Sequence, residues 1–314
     1  MNTTQQAASA YLQACKLELK AFKPGNVSVY SDGHDMTVQD FVLSSQLSVA
    51  PLTDFRVGLG QRIYNAVDAT RSQLGCNTNL GIILLAAPLL QALVLRKVSQ
   101  TLSTSLRQVL ESTSVEDADW CFQAIRKAAP GGLGTSDQYD VSKAPEVNLL
   151  EAMRTASGRD QIAAQYANYY LGVFDFSLPL LSRYRKPEAR TAIEDVYIAI
   201  LARWPDSHIA RKFDTAAAEA VSDRAADLQK QLKKCTSYEQ RTPLLRQTDE
   251  AFKQAGINPG TSADLTVATL MVHLINSHGT IPRVQGINTQ ANRSAQFHQS
   301  TINEGEKVCL STKL

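Results

Sequence analysis

Two short stretches, separated by most of the chain, combine a turn with residues able to act on a charged ligand. They are FKPGNVS at 22–28 and NPGTSADL at 258–265. In the first, Pro24 and Gly25 stop a helical pattern and hold Lys23 beside a rigid turn, with Asn26 and Ser28 as neutral donors. In the second, Asn258, Gly260, Thr261 and Ser262 lead to Asp264 as a further helical pattern begins. Loops of the same kind are GCNTNLG at 75–81, APGGLG at 129–134 and GRDQIAAQY at 158–166, which add Asn77, Thr78, Gly131, Gly132 and the pair Arg159–Asp160. Unpaired amides and the dipole at a helix N-terminus favour an anion, while glycine lets the backbone approach it. Several such loops on one scaffold suit a ligand with a long phosphate chain.

Each feature also has a plainer reading. Lys23 could be a solvated residue after a helix stop. Asp264 completes Thr261-x-x-Asp264, a capping-box spacing that serves only to start a helix. APGGLG lacks the Gly-Lys-Ser/Thr of a P-loop, and Arg159–Asp160 could be a surface pair worth little. His34 beside Asp35 does not define a metal site, and His208, His273, His278 and His298 are isolated and read as structural or exposed. GxSxG, HExxH and GxGxxG are absent, and no cysteine has a legible histidine partner. The common hydrolase, zincin and dinucleotide-binding designs are thereby disfavoured.

The elements that must carry these loops are helices. Ala8, Tyr11, Leu12, Cys15, Leu19 and Phe22 follow helical spacing, as do Leu52, Phe55, Leu59 and Ile63. Further helical stretches are expected near 37–50, 101–111, 115–128, 145–156, 159–174, 190–203, 208–233, 243–255 and 262–277. The apolar run at 80–97 contains Gly81, Pro88 and Gln91 and is short for a membrane span, so it reads as a buried core helix. Ser114-x-x-Asp117, Thr191-x-x-Glu194 and Thr261-x-x-Asp264 all read as capping boxes. Alternating strand patterns are nearly absent and no fixed repeat emerges. The expected fold is all-α: one multi-helix domain over 1–282, its Gly/Asn/Asp-rich loops converging on a central cleft, then a polar extension over 283–314. The chain has 314 residues with 32 basic and 30 acidic side chains, a near-balance that shows no footprint for nucleic acid or an acidic membrane. Five scattered cysteines without CxxC suit a reducing compartment, and no signal peptide is read, so a soluble cytoplasmic protein is expected.

Taken together, Glu18 five residues before Lys23, KPGNVS, HDM at 34–36, NTNLG at 77–81 and NPGTSADL resemble the triphosphoribosyl-dephospho-CoA synthase family. Its members are helical enzymes that make the prosthetic-group precursor of citrate and malonate carrier proteins. In that family the first loop often reads KPGLVD-like and the middle one NTHxG-like. This chain instead has Asn26 and Ser28 in the first loop, and Asn79 in place of the histidine. With APGGLG, LLEAM and RDQIAAQY, it is similar to a divergent branch that often accompanies methanopterin-type one-carbon cofactor genes. The resemblance implies transfer of the triphosphoribosyl group of ATP to a hydroxyl of dephospho-CoA, with release of adenine and use of Mg²⁺. The family's α-linked product, formed from a β-linked donor, implies inversion by direct displacement. Lys23, Gly25, Asn26, Ser28, Asn77, Thr78, Gly131, Gly132, Arg159, Asn258, Gly260, Thr261 and Ser262 would then hold phosphate or ribose. Asp264, Asp160 and Glu18 become the catalytic carboxylates and Asp35 and Asp264 the metal ligands, with the choice of base left open. The implied partners are ATP and dephospho-CoA or another cofactor precursor, not nucleic acid or membrane, and a homodimer is an allowed assembly. Two alternatives stand beside this: a pterin-type precursor as acceptor, or a non-catalytic helical nucleotide-binding protein.

Overall fold

The computed structural model describes residues 2–277, so the expected boundary at 282, the extension 283–314 and the readings of His278 and His298 lie outside the described residues. Helix α1 (Thr3–Leu19) starts at a capping box made by Asn2 and Gln5 and turns Ala7, Ala10, Tyr11 and Ala14 inward. Helix α2 (Val38–Leu52) and helix α3 (Leu59–Leu74) pack on each other, and α4 (Leu80–Leu95) is buried from Ile82 to Leu90 without a break. Thus the apolar run is a core helix, and no described helix is long and apolar enough to cross a membrane. Helices α5 (Leu102–Glu111), α6 (Val115–Ala128), α7 (Leu149–Ala156) and α8 (Gln161–Ala167) follow. A π-helical turn at Gly172–Ser177 leads into α9 (Leu178–Ser182). The chain then forms α10 (Arg190–Arg203), α11 (Ser207–Lys212), α12 (Thr215–Leu232), α13 (Tyr238–Gln254) and α14 (Gly260–Asn276).

Helix α14 is the centre of the packing, buried along nearly its whole length and touching α1, α4 and α10. Fully buried Ala and Thr side chains at Ala7, Ala10, Ala14, Thr266 and Thr269 let the backbones come close. A second apolar cluster joins Phe22, Tyr197, Leu201, Ile209, Val221, Leu245 and Phe252, and so ties the turn after α1 to α10–α13. The described residues contain no strand, only isolated bridges at Ser28–Ser31 and Gly33–Met36.

Several expected elements are interrupted. The spacing Leu52–Phe55–Leu59–Ile63 crosses a non-helical segment, because α2 ends at Leu52 beyond Pro51 and α3 starts after Gly58. The 159–174 stretch breaks at Tyr169 and Tyr170, whose φ angles are 58° and 62°, between α8 and the π-helical turn. The 208–233 stretch divides at Asp214, which caps α12 by accepting from the Ala217 amide at 2.7 Å. The Ser114–Asp117 capping box forms. The other two do not. Helix α10 begins at Arg190 with no side-chain cap, and Glu194 instead accepts from the Phe22 amide (3.1 Å) and the Tyr238 hydroxyl (2.8 Å). Helix α14 begins at Gly260, which leaves Asp264 out of any cap.

Candidate active site

One cavity of about 580 Å³ opens where these loops meet, within the roughly 300–1,000 Å³ typical of small-molecule sites. Glu18, Asn26, Asn77, Thr78, Arg159, Asp160, Asn258, Gly260, Thr261 and Asp264 line it, although they come from four separate parts of the sequence. The first and last loops are in direct contact. Asn26 Nδ2 donates to Asn258 Oδ1 at 2.9 Å, and Gly25, at φ 81°, sits so close that a β-carbon there would lie 2.9 Å from Pro259 Cδ. Only glycine fits that turn. It is fixed further by Asp249, which accepts from the Gly25 amide at 2.8 Å, and by the Tyr197 hydroxyl, which donates to the Pro24 carbonyl at 2.9 Å. His34 Nε2 lies 2.9 Å from the Gly25 carbonyl oxygen.

The acids differ in how committed they are. Asp160 caps α8, accepting from the Ile162 and Ala163 amides at 2.9 and 3.0 Å, and pairs with Arg211. Glu18 is buried against Lys23, whose ammonium also reaches Asn26 Oδ1 at 2.8 Å. Burial pushes Glu18 up and Lys23 down, and each partner opposes the other's shift. Asp264 is half-buried on the cavity wall and, among the described residues, none donates a hydrogen bond to its carboxylate. Its proton affinity is raised well above the ordinary carboxylate range by desolvation first, then by the negative charges of Asp206 and Glu18. Gly81 makes room for it: a β-carbon at residue 81 would meet Asp264 Oδ2 at 2.0 Å. A carboxylate that is uncapped, unpaired and protonatable beside a ligand cavity is suited to accept a proton or to face a developing positive centre.

Positive groups stand on the same wall. Arg159 donates to Ser136 Oγ at 2.8 Å, and Arg211 pairs with Asp160. His208 lines the cavity beside them, its charged form disfavoured by burial and by Arg211 and Lys212, against the pull of Asp206. The histidine read as isolated is therefore part of the site. Asp206 was passed over in the sequence altogether. It caps α11 through the amides of His208 (2.9 Å) and Ile209 (3.3 Å), and it also takes both the amide and hydroxyl of Ser262 at 2.8 Å. One buried carboxylate thus starts two helices and sets Asp264 one turn along the second. Its signal was available in Pro205-Asp206-Ser207, an N-cap residue after proline.

Other expected site residues lie elsewhere. Lys23, Gly25 and Ser28 are buried behind the wall, where they hold the turn, and Ser262 is occupied by Asp206. Gly131 and Gly132 are exposed outside the wall, Gly132 being packed on the Arg211 carbonyl, while Leu133 to Ser136 reach the cavity. Asp35 is exposed and off the wall, so the structure does not bring it to Asp264 as a metal pair. No group of three potential metal ligands forms among the described residues.

Fold and site define an all-helical protein whose loops enclose one ligand cavity carrying a free carboxylate. The CitG family model, described as ATP:dephospho-CoA triphosphoribosyl transferase, matches residues 4–282, and the chain belongs to that family of transferases. No protein of curated function matches it. Among solved structures, an Archaeoglobus fulgidus protein described as a candidate triphosphoribosyl-dephospho-CoA synthase has a similar fold. The TM-score is 0.59 at 20% identity, covering 75% of this chain and 99% of that one. At that identity the likeness bears on the fold.

Proposed function

We propose that this chain transfers the triphosphoribosyl group of ATP to a hydroxyl of dephospho-CoA by one inverting displacement at ribose C1′. The acceptor oxygen bonds to C1′ as the bond to adenine N9 breaks, its electron pair leaving with adenine, which takes a proton from water, so an oxocarbenium-like centre forms between them. In its ionised form Asp264 takes the hydroxyl proton and its charge faces that centre; the raised proton affinity makes this carboxylate the stronger base. Burial first, then the charge of Asp206, keeps Asp264 basic; Glu18, already paired with Lys23, and Asp160, already capping α8, add to this from fixed positions. Arg159 and Arg211 receive the triphosphate, with Asn26, Asn77, Thr78, Asn258 and Thr261 as neutral partners for phosphate or ribose. Mg²⁺ enters with ATP as part of the substrate, held by the phosphate oxygens. Apolar residues in the remaining wall limit water, the competing acceptor.

The observation that carries this reading is the convergence of loops from both ends of the domain on one cavity, with Asp264 left without a structural partner. Incubating the protein with ATP, Mg²⁺ and dephospho-CoA should yield free adenine by mass spectrometry and an α-linked product by NMR. Adenine formed only when a pterin-type precursor replaces dephospho-CoA would reassign the acceptor. Tight ATP binding with no adenine under any acceptor would make the protein a binder rather than an enzyme.

A further inference from the structure

The cavity wall has an apolar section made by Leu84, Ile125, Leu133, Val141, Met153 and Ile162, and Tyr139 joins it from the loop at 130–145. Tyr139 has a left-handed backbone with φ 48°, which a bulky residue adopts only where its surroundings impose it. The neighbouring groups do impose it. Buried Asp140 accepts from the amides of Ser136 (2.6 Å) and Ser142 (2.8 Å), and the Val141 carbonyl accepts from the Arg126 guanidinium. Ser136 in turn donates to the Gln138 carbonyl at 2.7 Å and accepts from Arg159, so the loop is joined to a phosphate-binding candidate.

Among the described residues the ring so presented has no hydrogen-bond, aromatic or cationic partner. Of the ten tyrosines in the chain, nine engage a hydroxyl, a backbone carbonyl, a carboxylate, an arginine or another ring. Tyr139 has no such hydrogen bond or ring contact among the described residues, yet it is the tyrosine on the cavity wall. A strained, internally braced loop that delivers an unpartnered aromatic face to an apolar pocket beside arginines fits a ligand that joins a flat ring to phosphates.

We propose that Tyr139 is the stacking face for an adenine ring, and that the 130–145 loop forms the nucleobase subsite of this cavity. The assignment rests on the nucleotide-transfer reading above, in which ATP and dephospho-CoA both carry adenine. Calorimetric titration of ATP, dephospho-CoA and inorganic triphosphate, each separately, into wild type, Tyr139→Phe, Tyr139→Ala and Tyr139→Gly tests it. Tyr139→Ala should weaken one nucleotide by about 5- to 150-fold, the range for losing one base–aromatic stack, and the nucleotide affected identifies which adenine is held. Tyr139→Phe should retain the affinity, and triphosphate binding should not change in any variant. Tyr139→Gly accommodates the left-handed backbone, so it should lower nucleotide affinity without lowering the melting temperature, a combination that a purely structural tyrosine would not give. Unchanged affinity for both nucleotides in Tyr139→Ala and Tyr139→Gly, with wild type still releasing adenine, overturns this assignment alone. Equal weakening of triphosphate also overturns it. Wild type that binds neither nucleotide overturns both the assignment and the transfer reading.

Discussion

Asp264 costs the folded chain stability. As pH rises through the ordinary carboxylate value of 3.8, the unfolded chain ionises while the folded chain keeps the proton, so folding weakens from there up to the raised native value. Asp264→Asn removes that loss. The variant should melt higher than wild type at neutral pH, by about 2 °C or more, with the difference closing below pH 3.8. Scanning calorimetry at several pH values reads this directly, and a variant that melts lower at neutral pH would mean that Asp264 has a structural partner. The Lys23–Glu18 pair behaves in the opposite way. Lys23→Met strands a buried carboxyl and should cost about 3–5 kcal/mol, whereas Lys23→Met with Glu18→Gln should recover most of it. Urea unfolding of both variants distinguishes this from a lysine that serves ligand binding alone, where stability would not move.

At the scale of elements, Asp206 holds two helix starts at once. Asp206→Ala should cost about 1–2 kcal/mol for each cap lost and shift the start of α14, so stability and activity fall together. Gly81→Ala is expected to separate them. Its β-carbon would displace the Asp264 carboxylate at the N-terminus of α4, so adenine release should fall by ~10²-fold or more, as for a misplaced catalytic group. Activity unchanged in Gly81→Ala would show that Asp264 does not need its present position. These two positions mark where the sequence was hard to read. The helical stretches and the turn-rich loops follow from local patterns, and so does the Ser114 capping box. The Thr261–Asp264 spacing misled because Asp206, 56 residues before Ser262, supplies the cap instead. Local pattern likewise could not show that Gly81 is small for the sake of Asp264, or that His208 faces the cavity. Lys23 was legible as a held lysine, but its holder is Glu18, five residues back in the last turn of α1, and that pairing depends on burial, which spacing alone does not show.

For the whole molecule, α14 joins the two ends of the domain in sequence and in chemistry. Asn26 and Asn258, 232 residues apart, share a hydrogen bond, and α1, α4, α8 and α11, which carry cavity-lining loops, pack on α14. A site assembled this way depends on the complete domain and on few side chains for its chemistry. The most direct measurement is adenine formation from ATP, Mg²⁺ and dephospho-CoA by wild type and Asp264→Asn, with ATP affinity measured in parallel. Wild type should release one adenine per coupled product, and Asp264→Asn should be slower by ~10²–10⁴-fold with ATP affinity kept within about threefold. Equal rates of adenine release from the two proteins would contradict the role of Asp264 and the active site built around it.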